Sequence, residues 1–365
     1  MKPMLLCVSW AVMQVTCFAW AVQDSLASVH AVRMSEDFIN VPQVISLAAV
    51  GDVMMSGGAA SVINSRGIEY PFIHVLSVLQ NADIATCNLE APFTEDGTPF
   101  DKKFTFRVKP SFAGALEHAG FDVVCLANNH ILDFGDGGLA STMAVLDSIG
   151  ILWCGAGSNR KQAESPAFIK ARGIKVAFLA YSLTYPAEFW AGPDSYGTAY
   201  PGGGRIKEHI ASARDSSDFV VVQFHWGGEL RTAPKPYQRW YAHIAIDAGA
   251  DAVIGHHPHI LQGIEVYRNK VIAYSLGNFV FGSYSRHART SAILRLRFSG
   301  TDVLLAKVIP VSVDNYSVNF SPVILAGSQK DAVISGLNSL SAGLNTGEHL
   351  ISKSGLIRTL KINHE

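Results

Sequence analysis

Short apolar runs rich in β-branched residues alternate with amphipathic stretches over much of the chain, and this alternation constrains the fold more than any other feature. The runs read as strands buried on both faces, at residues 44–50, 84–87, 121–126, 176–180, 219–224 and 252–254. Helix-like stretches between them end next to glycine, at residues 111–119, 139–149 and 238–248. The pattern predicts an α/β fold in which helices cover buried sheets.

The pattern changes after about residue 263, where strand-like segments follow one another directly. These segments lie at 264–267, 271–275, 291–298 and 303–311. They predict an antiparallel region that forms a second sheet packed on the first. A helix-like tail over residues 330–360 ends the chain, and no linker is long enough to separate independent domains.

The N-terminus has the pattern of a secretory signal peptide. Lys2 precedes an apolar segment that ends in Ala19-Trp20-Ala21, a small-residue cleavage pattern. Residues 1–21 are therefore predicted to be removed, leaving residues 22–42 as an N-terminal arm of a secreted, periplasmic or cell-envelope protein. The alternative is an uncleaved segment that anchors the chain in the membrane.

Composition argues against two classes of protein. Lys and Arg number 29 against 30 Asp and Glu, so the chain lacks the basic excess typical of nucleic-acid binding. Only Cys87, Cys125 and Cys154 follow the signal segment, and an odd number cannot form a complete disulfide framework. Each lies in or beside an apolar run, so we expect three buried free thiols.

Polar residues follow the predicted strands at the points where ligands collect in open α/β sheets. Five of the 13 histidines fall in three such loops, together with two carboxylates and paired asparagines. Imidazole nitrogen and carboxylate oxygen are common ligands of divalent transition metals. In an extended segment His257 and His259 would point the same way, so both could reach one metal centre. The loops contain Asp52, Asn88, Glu90, Asn128, Asn129, His130, His225, His256, His257 and His259.

The loop sequences resemble, in order, the motifs of the CapA family of capsule-synthesis proteins, which is similar to the calcineurin-like metallophosphoesterases. The resemblance implies a four-layer α/β fold, a metallophosphatase-like β-sandwich flanked by helices, over residues 43–311. Residues 312–365 would be a partly helical C-terminal extension. The matching segments are Gly51-Asp52-Val53-Met54, Asn88-Leu89-Glu90, Asn128-Asn129-His130, Gly135–Gly138, His225-Trp226-Gly227, Gly255-His256-His257-Pro258-His259 and Tyr274-Ser275-Leu276-Gly277-Asn278-Phe279.

The resemblance also implies roles for single residues. His130 matches a catalytic histidine, and either Glu90 or Asn88 stands where the superfamily has a bridging carboxylate. The other implied ligands of two divalent ions (Mn, Fe or Zn) are Asp52, Asn129, His225, His257 and His259, with His256 as an alternative to His257. The chain departs from the superfamily pattern at Met54, where a histidine is usual, and at Glu90, where an aspartate is usual.

Two functions follow from this resemblance. In the first, a metal-activated hydroxide attacks a phosphoester, or an amide of an anionic polymer such as poly-γ-glutamate, with His130 as leaving-group acid. In the second, the chain is a non-catalytic, metal-stabilised scaffold or polymer-binding component of an envelope export machinery with membrane-embedded partners. Arg107, after an apolar run, is a candidate anion-binding group.

Overall fold

The computed structural model describes residues 43–346 and 350–358. The predicted signal peptide and N-terminal arm lie outside the described residues. Within them, no helix is both long and apolar enough to cross a membrane.

Strands make up most of the regular structure. Each of the ten residues of β1 and the seven residues of β9 is buried, as expected of central strands in a covered sheet. In chain order the strands are β1 (Ile45–Met54), β2 (Ile84–Leu89), β3 (Val123–Cys125), β4 (Leu152–Cys154), β5 (Ala156–Gly157), β6 (Ala167–Ala171), β7 (Ile174–Ser182), β8 (Gly197–Thr198), β9 (Phe219–His225), β10 (Ala252–His256), β11 (Ile264–Tyr267), β12 (Lys270–Ala273), β13 (Asn278–Phe281), β14 (Thr290–Ser299), β15 (Asp302–Ser312) and β16 (Val323–Ile324).

The helices are short and present one buried face each. Gly120 closes one of them in the left-handed conformation that glycine favours at this position. In chain order they are α1 (Gly57–Arg66), α2 (Leu76–Gln80), α3 (Gly114–Ala119), α4 (Gly135–Ser148), α5 (Arg160–Ala163), α6 (Arg205–Asp215), α7 (Pro236–Asp247), α8 (Asn315–Val318) and α9 (Gly327–Ser341), with 3₁₀ turns at Tyr70–Phe72, Pro110–Ala113, Ala187–Phe189 and Gly202–Gly204.

Two sheets pack face to face. The first has the order β16-β15-β14-β1-β2-β3-β4, with β13 also paired to β1, and the second has the order β11-β12-β10-β9-β7-β6. Side chains of both sheets share one apolar core between them. A second core joins the outer face of the first sheet to α1, α3 and α4, and a third joins the outer face of the second sheet to α6 and α7. The predicted four-layer α/β sandwich is therefore confirmed.

The predicted division of the strands between the sheets is wrong. Strands β11 and β12 extend the sheet that holds β7, β9 and β10, whereas β14 and β15 extend the sheet that holds β1. The strands after residue 263 thus supply an edge to each sheet, with β14 antiparallel to β1 and β12 parallel to β10. Both sheets gain from this because an added strand satisfies the backbone groups of an exposed edge.

The predicted helical tail is also shorter than expected. Helix α9 ends at Ser341, and residues 350–358 instead form a turn closed by the Ile351–Ile357 bridge and joined to β15 by the Lys307–Leu356 bridge. The three expected free thiols are confirmed, because Cys87, Cys125 and Cys154 are buried and unpaired.

Candidate metal centre

The carboxyl ends of the central strands of both sheets meet at one end of the sandwich. In the first sheet Asp52 is the register partner of Asn88, because β1 and β2 are parallel. In the second sheet His225 is the register partner of His256. The parallel registers therefore bring together side chains that are up to about two hundred residues apart in sequence.

Two groups of ligand atoms form there, each with all its atoms within 4.8 Å of one another. Glu90, His225 and His257 make up the first group, and Asp52, Glu90 and His259 make up the second. Glu90 belongs to both groups, and its role as the bridging residue, with Asn88 as the alternative, stays a prediction. The distance between His225 Nε2 and His257 Nδ1 is 3.1 Å, which places both imidazoles on the same side of the site.

Glu90 Oε1 provides a test of whether a cation fits. This atom is buried and accepts no hydrogen bond, although it lies 3.8 Å from His225 Nε2 and 3.7 Å from His259 Nε2. Burial, followed by the charge of Asp52, raises the pKa of Glu90 well above its ordinary value. A cation between these atoms would satisfy the orphaned oxygen and offset the repulsion between the carboxylates. The mixed nitrogen and oxygen donors suit Mn, Fe or Zn.

The three ligand-group imidazoles have different environments. Burial, followed by the charge of neighbouring histidines, lowers the pKa of His257 to about 3 and that of His225 well below its ordinary value. These rings are neutral at pH 7, the form that binds metal. Burial alone would lower the pKa of His259 too, but Glu90 and Asp52 outweigh it and raise that pKa to about 9.

The backbone at His257 and His259 is not extended, so the geometry expected from the sequence is wrong there. Their φ angles are 92° and 62°, in the left-handed region that non-glycine residues rarely occupy. Because of this turn, His257 lies in the group with His225, whereas His259 lies in the group with Asp52. The pair thus serves both groups of ligand atoms rather than one.

Asparagine side chains connect the ligands. Asn88 Nδ2 donates to Asp52 Oδ1 at 2.9 Å and to Glu90 Oε2 at 3.2 Å, and Asn88 Oδ1 accepts from Asn128 at 3.0 Å. Asn88 thus orients the two carboxylates, and its role as a metal ligand stays a prediction. Asn129 Oδ1 lies 2.7 Å from His225 Nε2, at the edge of the first ligand group.

His130 lies beside the ligand groups and belongs to neither. Its Nδ1 is 2.8 Å from Asp133 Oδ2 and 3.2 Å from Lys102 Nζ, which itself pairs with Asp133 Oδ1 at 2.5 Å. Burial lowers the pKa of His130, and Asp133 opposes that change. When Nδ1 donates its proton in a hydrogen bond to Asp133, Nε2 is the unprotonated nitrogen of the neutral ring.

His256 lies next to Asp52 and belongs to neither ligand group. Its Nδ1 lies 3.3 Å from Asp52 Oδ1, and its Nε2 contacts Gln223 Oε1 at 3.0 Å. His257 is thus the member of the adjacent pair that lies in a ligand group.

Several residues at the site were missed by sequence reasoning. Asn278 Oδ1 lies 2.9 Å from His259 Nδ1, and the Gly277-Asn278 segment could have indicated this role because it follows a strand-like run. Asp133 could have been found from its spacing of three residues from His130. Lys102 and Gln223 carry no comparable signal in the sequence. Lys102 lies in a long loop, and Gln223 lies within an otherwise apolar strand.

Two further residues lie outside the site's contacts. Met54, where the superfamily pattern has histidine, is buried in the apolar core between the first sheet and its helices. Arg107 donates from Nη1 to the carbonyl of Glu95 at 2.7 Å, and its guanidinium lies 4.9 Å from the centre of the Phe134 ring. Its proposed role in anion binding stays a prediction.

Comparison with known proteins places the chain among capsule-synthesis proteins. It is 34% identical to the capsule biosynthesis protein CapA of Bacillus anthracis, over 75% of this chain and 68% of that protein. It is 31% identical to the PGA biosynthesis protein CapA of Bacillus subtilis, over 74% of this chain and 72% of that protein. The solved structure of the Haemophilus influenzae NAD nucleotidase NadN aligns with 12% identity and a TM-score of 0.42, over 84% of this chain and 57% of that one.

The family described as "Bacterial capsule synthesis protein PGA_cap" matches residues 46–283, a segment that runs from β1 to just beyond β13 and includes every ligand described above. This chain therefore belongs to the bacterial capsule synthesis protein family PGA_cap.

Proposed function

We propose that this chain is an extracytoplasmic, metal-dependent hydrolase that acts in the synthesis or export of a capsule or of poly-γ-glutamate. The observation that carries the proposal is the pairing of His130 with Asp133 next to two ligand groups that share Glu90. A metal site that only stabilised the fold would need no such proton-transfer pair. The names of the relatives support the polymer as its biological context.

The residues divide the chemistry among them. Asp52, Glu90, Asn129, His225, His257 and His259 would hold two divalent ions. When bound, such ions activate water as a nucleophile and neutralise negative charge that develops on the attacked phosphoester or amide. Asn88 fixes both carboxylates by donating to Asp52 and to Glu90, which lowers the reorganisation needed during the reaction. In its doubly protonated form His130 donates the Nε2 proton to the leaving group and becomes the neutral ring, whose Nδ1 proton stays in the hydrogen bond to Asp133.

Variants of His130 and Asp52 test this proposal. His130→Ala should retain its metal content and lower turnover by about 10²–10⁴-fold, the usual contribution of a positioned acid. Asp52→Ala should lose metal and activity together, because it removes a ligand atom. The measurements are metal analysis of the purified protein and a hydrolysis screen over phosphodiesters and γ-linked glutamyl polymers. A folded, metal-loaded His130→Ala protein with full activity would exclude the acid role.

A second candidate function is a metal-stabilised scaffold that binds the polymer or a membrane-embedded export partner. Met54 favours it, because a core methionine stands where the superfamily pattern supplies a ligand. The scaffold predicts that His130→Ala leaves capsule formation intact in cells, whereas loss of a ligand abolishes it.

The extracytoplasmic location is a separate part of the proposal. It is supported by the charged, apolar and small-residue pattern of residues 1–21. N-terminal sequencing of the cellular product should find a start at or near Val22. A membrane-embedded product that keeps Met1 would replace cleavage with anchoring.

A further inference from the structure

A cleft of about 410 Å³ opens at the end of the sandwich where β1 begins, far from the ligand groups. It lies between the strand face formed by β1, β14 and β15 and the turn that joins β6 to β7. Ser46, on its wall, precedes Asp52 by six residues of one extended strand, which corresponds to about 20 Å. The cleft is therefore separate from the candidate metal centre.

Four cationic side chains line this cleft: Arg172, Arg295, Arg297 and Lys307, called here the basic cluster. Among the described residues that line the cleft, Asp83 alone is acidic, and its carboxylate already accepts from Arg172 at 2.5 Å and from the backbone and hydroxyl of Ser46. Within the described part of the chain, the other three cations form no salt bridge. No acidic side chain of residues 43–346 or 350–358 pairs with these three cations.

The strand register forces these charges together. Arg295 and Lys307 are direct partners on the antiparallel strands β14 and β15, and Arg297 lies two residues along on the same face. Like charges directly opposite each other destabilise an antiparallel pair. In addition, Arg295 Nε is buried and has no hydrogen-bond partner. An oxyanion in the cleft would remove the repulsion and accept that unused hydrogen bond.

We propose that the basic cluster binds the carboxylates of an anionic polymer chain, as a second contact remote from the metal centre. The polymer's identity rests on the proposed function, in which the substrate or cargo is a polyanion such as poly-γ-glutamate. Cations spaced along and across two strands suit a run of carboxylates better than a single small anion. A concave cleft also suits a chain segment better than a flat membrane surface.

Binding of fluorescently labelled poly-γ-glutamate to the full chain tests the proposal. Anisotropy is measured at low salt in EDTA, so that metal at the catalytic site contributes nothing. The double variant R295Q/K307Q should bind about tenfold more weakly than the unaltered protein, a loss of ~1.4 kcal/mol. The matched control K207Q/K353Q removes two exposed cations elsewhere and should change the affinity by less than about twofold.

Thermal unfolding provides a second measurement, which distinguishes loss of polymer binding from loss of fold. Without polymer, R295Q/K307Q should melt no lower than the unaltered protein, since it relieves a repulsion. With polymer, the melting temperature of the unaltered protein should rise and that of the double variant should not. Equal affinity and equal polymer-dependent stabilisation of both proteins would overturn the inference.

The test is independent of the hydrolase proposal. If R295Q/K307Q hydrolyses a small model substrate normally but has lost polymer binding, the basic cluster is a separate polymer contact. If no hydrolysis occurs in any variant yet the polymer binds through this cluster, the inference stands and the hydrolase proposal fails.

Discussion

His257 combines a buried side chain with a neutral ring. It is 9% exposed, lies 3.1 Å from His225 and contacts Asp52 through its backbone. The left-handed φ of this residue holds the ring in a position that an extended loop would not reach. A residue held in this way stabilises the fold only while it stays unprotonated, and this makes the stability of the metal-free protein depend on pH.

His257→Gln tests that dependence. The pKa of His257 is about 3 in the folded protein and 6.5 in the reference state, so between these values the unfolded chain binds a proton that the folded chain does not. Stability from the neutral ring is therefore present above pH 6.5 and is lost as the pH falls towards 3, by up to about 1.4 kcal/mol per pH unit.

Urea unfolding in EDTA at pH 6.5 and pH 5 provides the measurement. The unaltered protein should lose more stability over this range than His257→Gln does. The control is His287→Gln, at an exposed histidine, which should keep the full pH dependence. Identical losses in the unaltered protein and His257→Gln would show that His257 is not the responsible group.

At the scale of elements, the sequence predicted individual strands better than their partners. Runs such as 219–224 are recognisable because a strand buried on both faces must be apolar throughout. Strands β12 and β14 carry similar apolar patterns, yet they pair in different sheets. Pairing depends on contacts between residues distant in sequence, which a local pattern does not encode. For the same reason the sequence indicated Asp52 and Glu90 as candidate ligands but did not indicate the contact of Lys102 with His130.

The close approach of β1 to the loop before β13 gives a prediction at this scale. A Cβ added at Gly51 would lie 1.7 Å from the carbonyl oxygen of Gly277, the same oxygen that accepts from the Asp52 amide. Gly51→Ala should therefore push apart the segments that carry Asp52 and Asn278. We expect a loss of about 1–3 kcal/mol in the free energy of unfolding, together with reduced metal content.

Gly137→Ala is the matched control for this substitution. Gly137 lies within α4, and a Cβ there would have no neighbour within 4 Å. Alanine should stabilise that helix by about 0.5–1 kcal/mol and leave the metal content unchanged. Equal stability of Gly51→Ala and the unaltered protein would show that the loop can move without cost.

At the scale of the whole molecule, residues beyond the family match complete the sandwich. Strand β16 pairs with β15, and α9 contributes Ile334 and Leu337 to the apolar core shared by the two sheets. Ser341, at the end of α9, accepts a hydrogen bond from the backbone of Ile264 in the second sheet. The segment after residue 283 therefore contacts both sheets, whose central strands lead to the ligand groups.

Leu337→Ala measures how much the sandwich depends on this helix. Leu337 is 2% exposed, so truncation removes buried apolar contacts and leaves a cavity at the edge of the core between the sheets. We expect the free energy of unfolding to fall by about 2–5 kcal/mol. Ser335→Ala, on the exposed side of α9, should change it by less than about 0.5 kcal/mol. Because both sheets share this core, fluorescence and circular dichroism should report one coincident transition at a lower urea concentration. If Leu337→Ala unfolds at the same urea concentration as the unaltered protein, α9 is an appendage rather than part of the core.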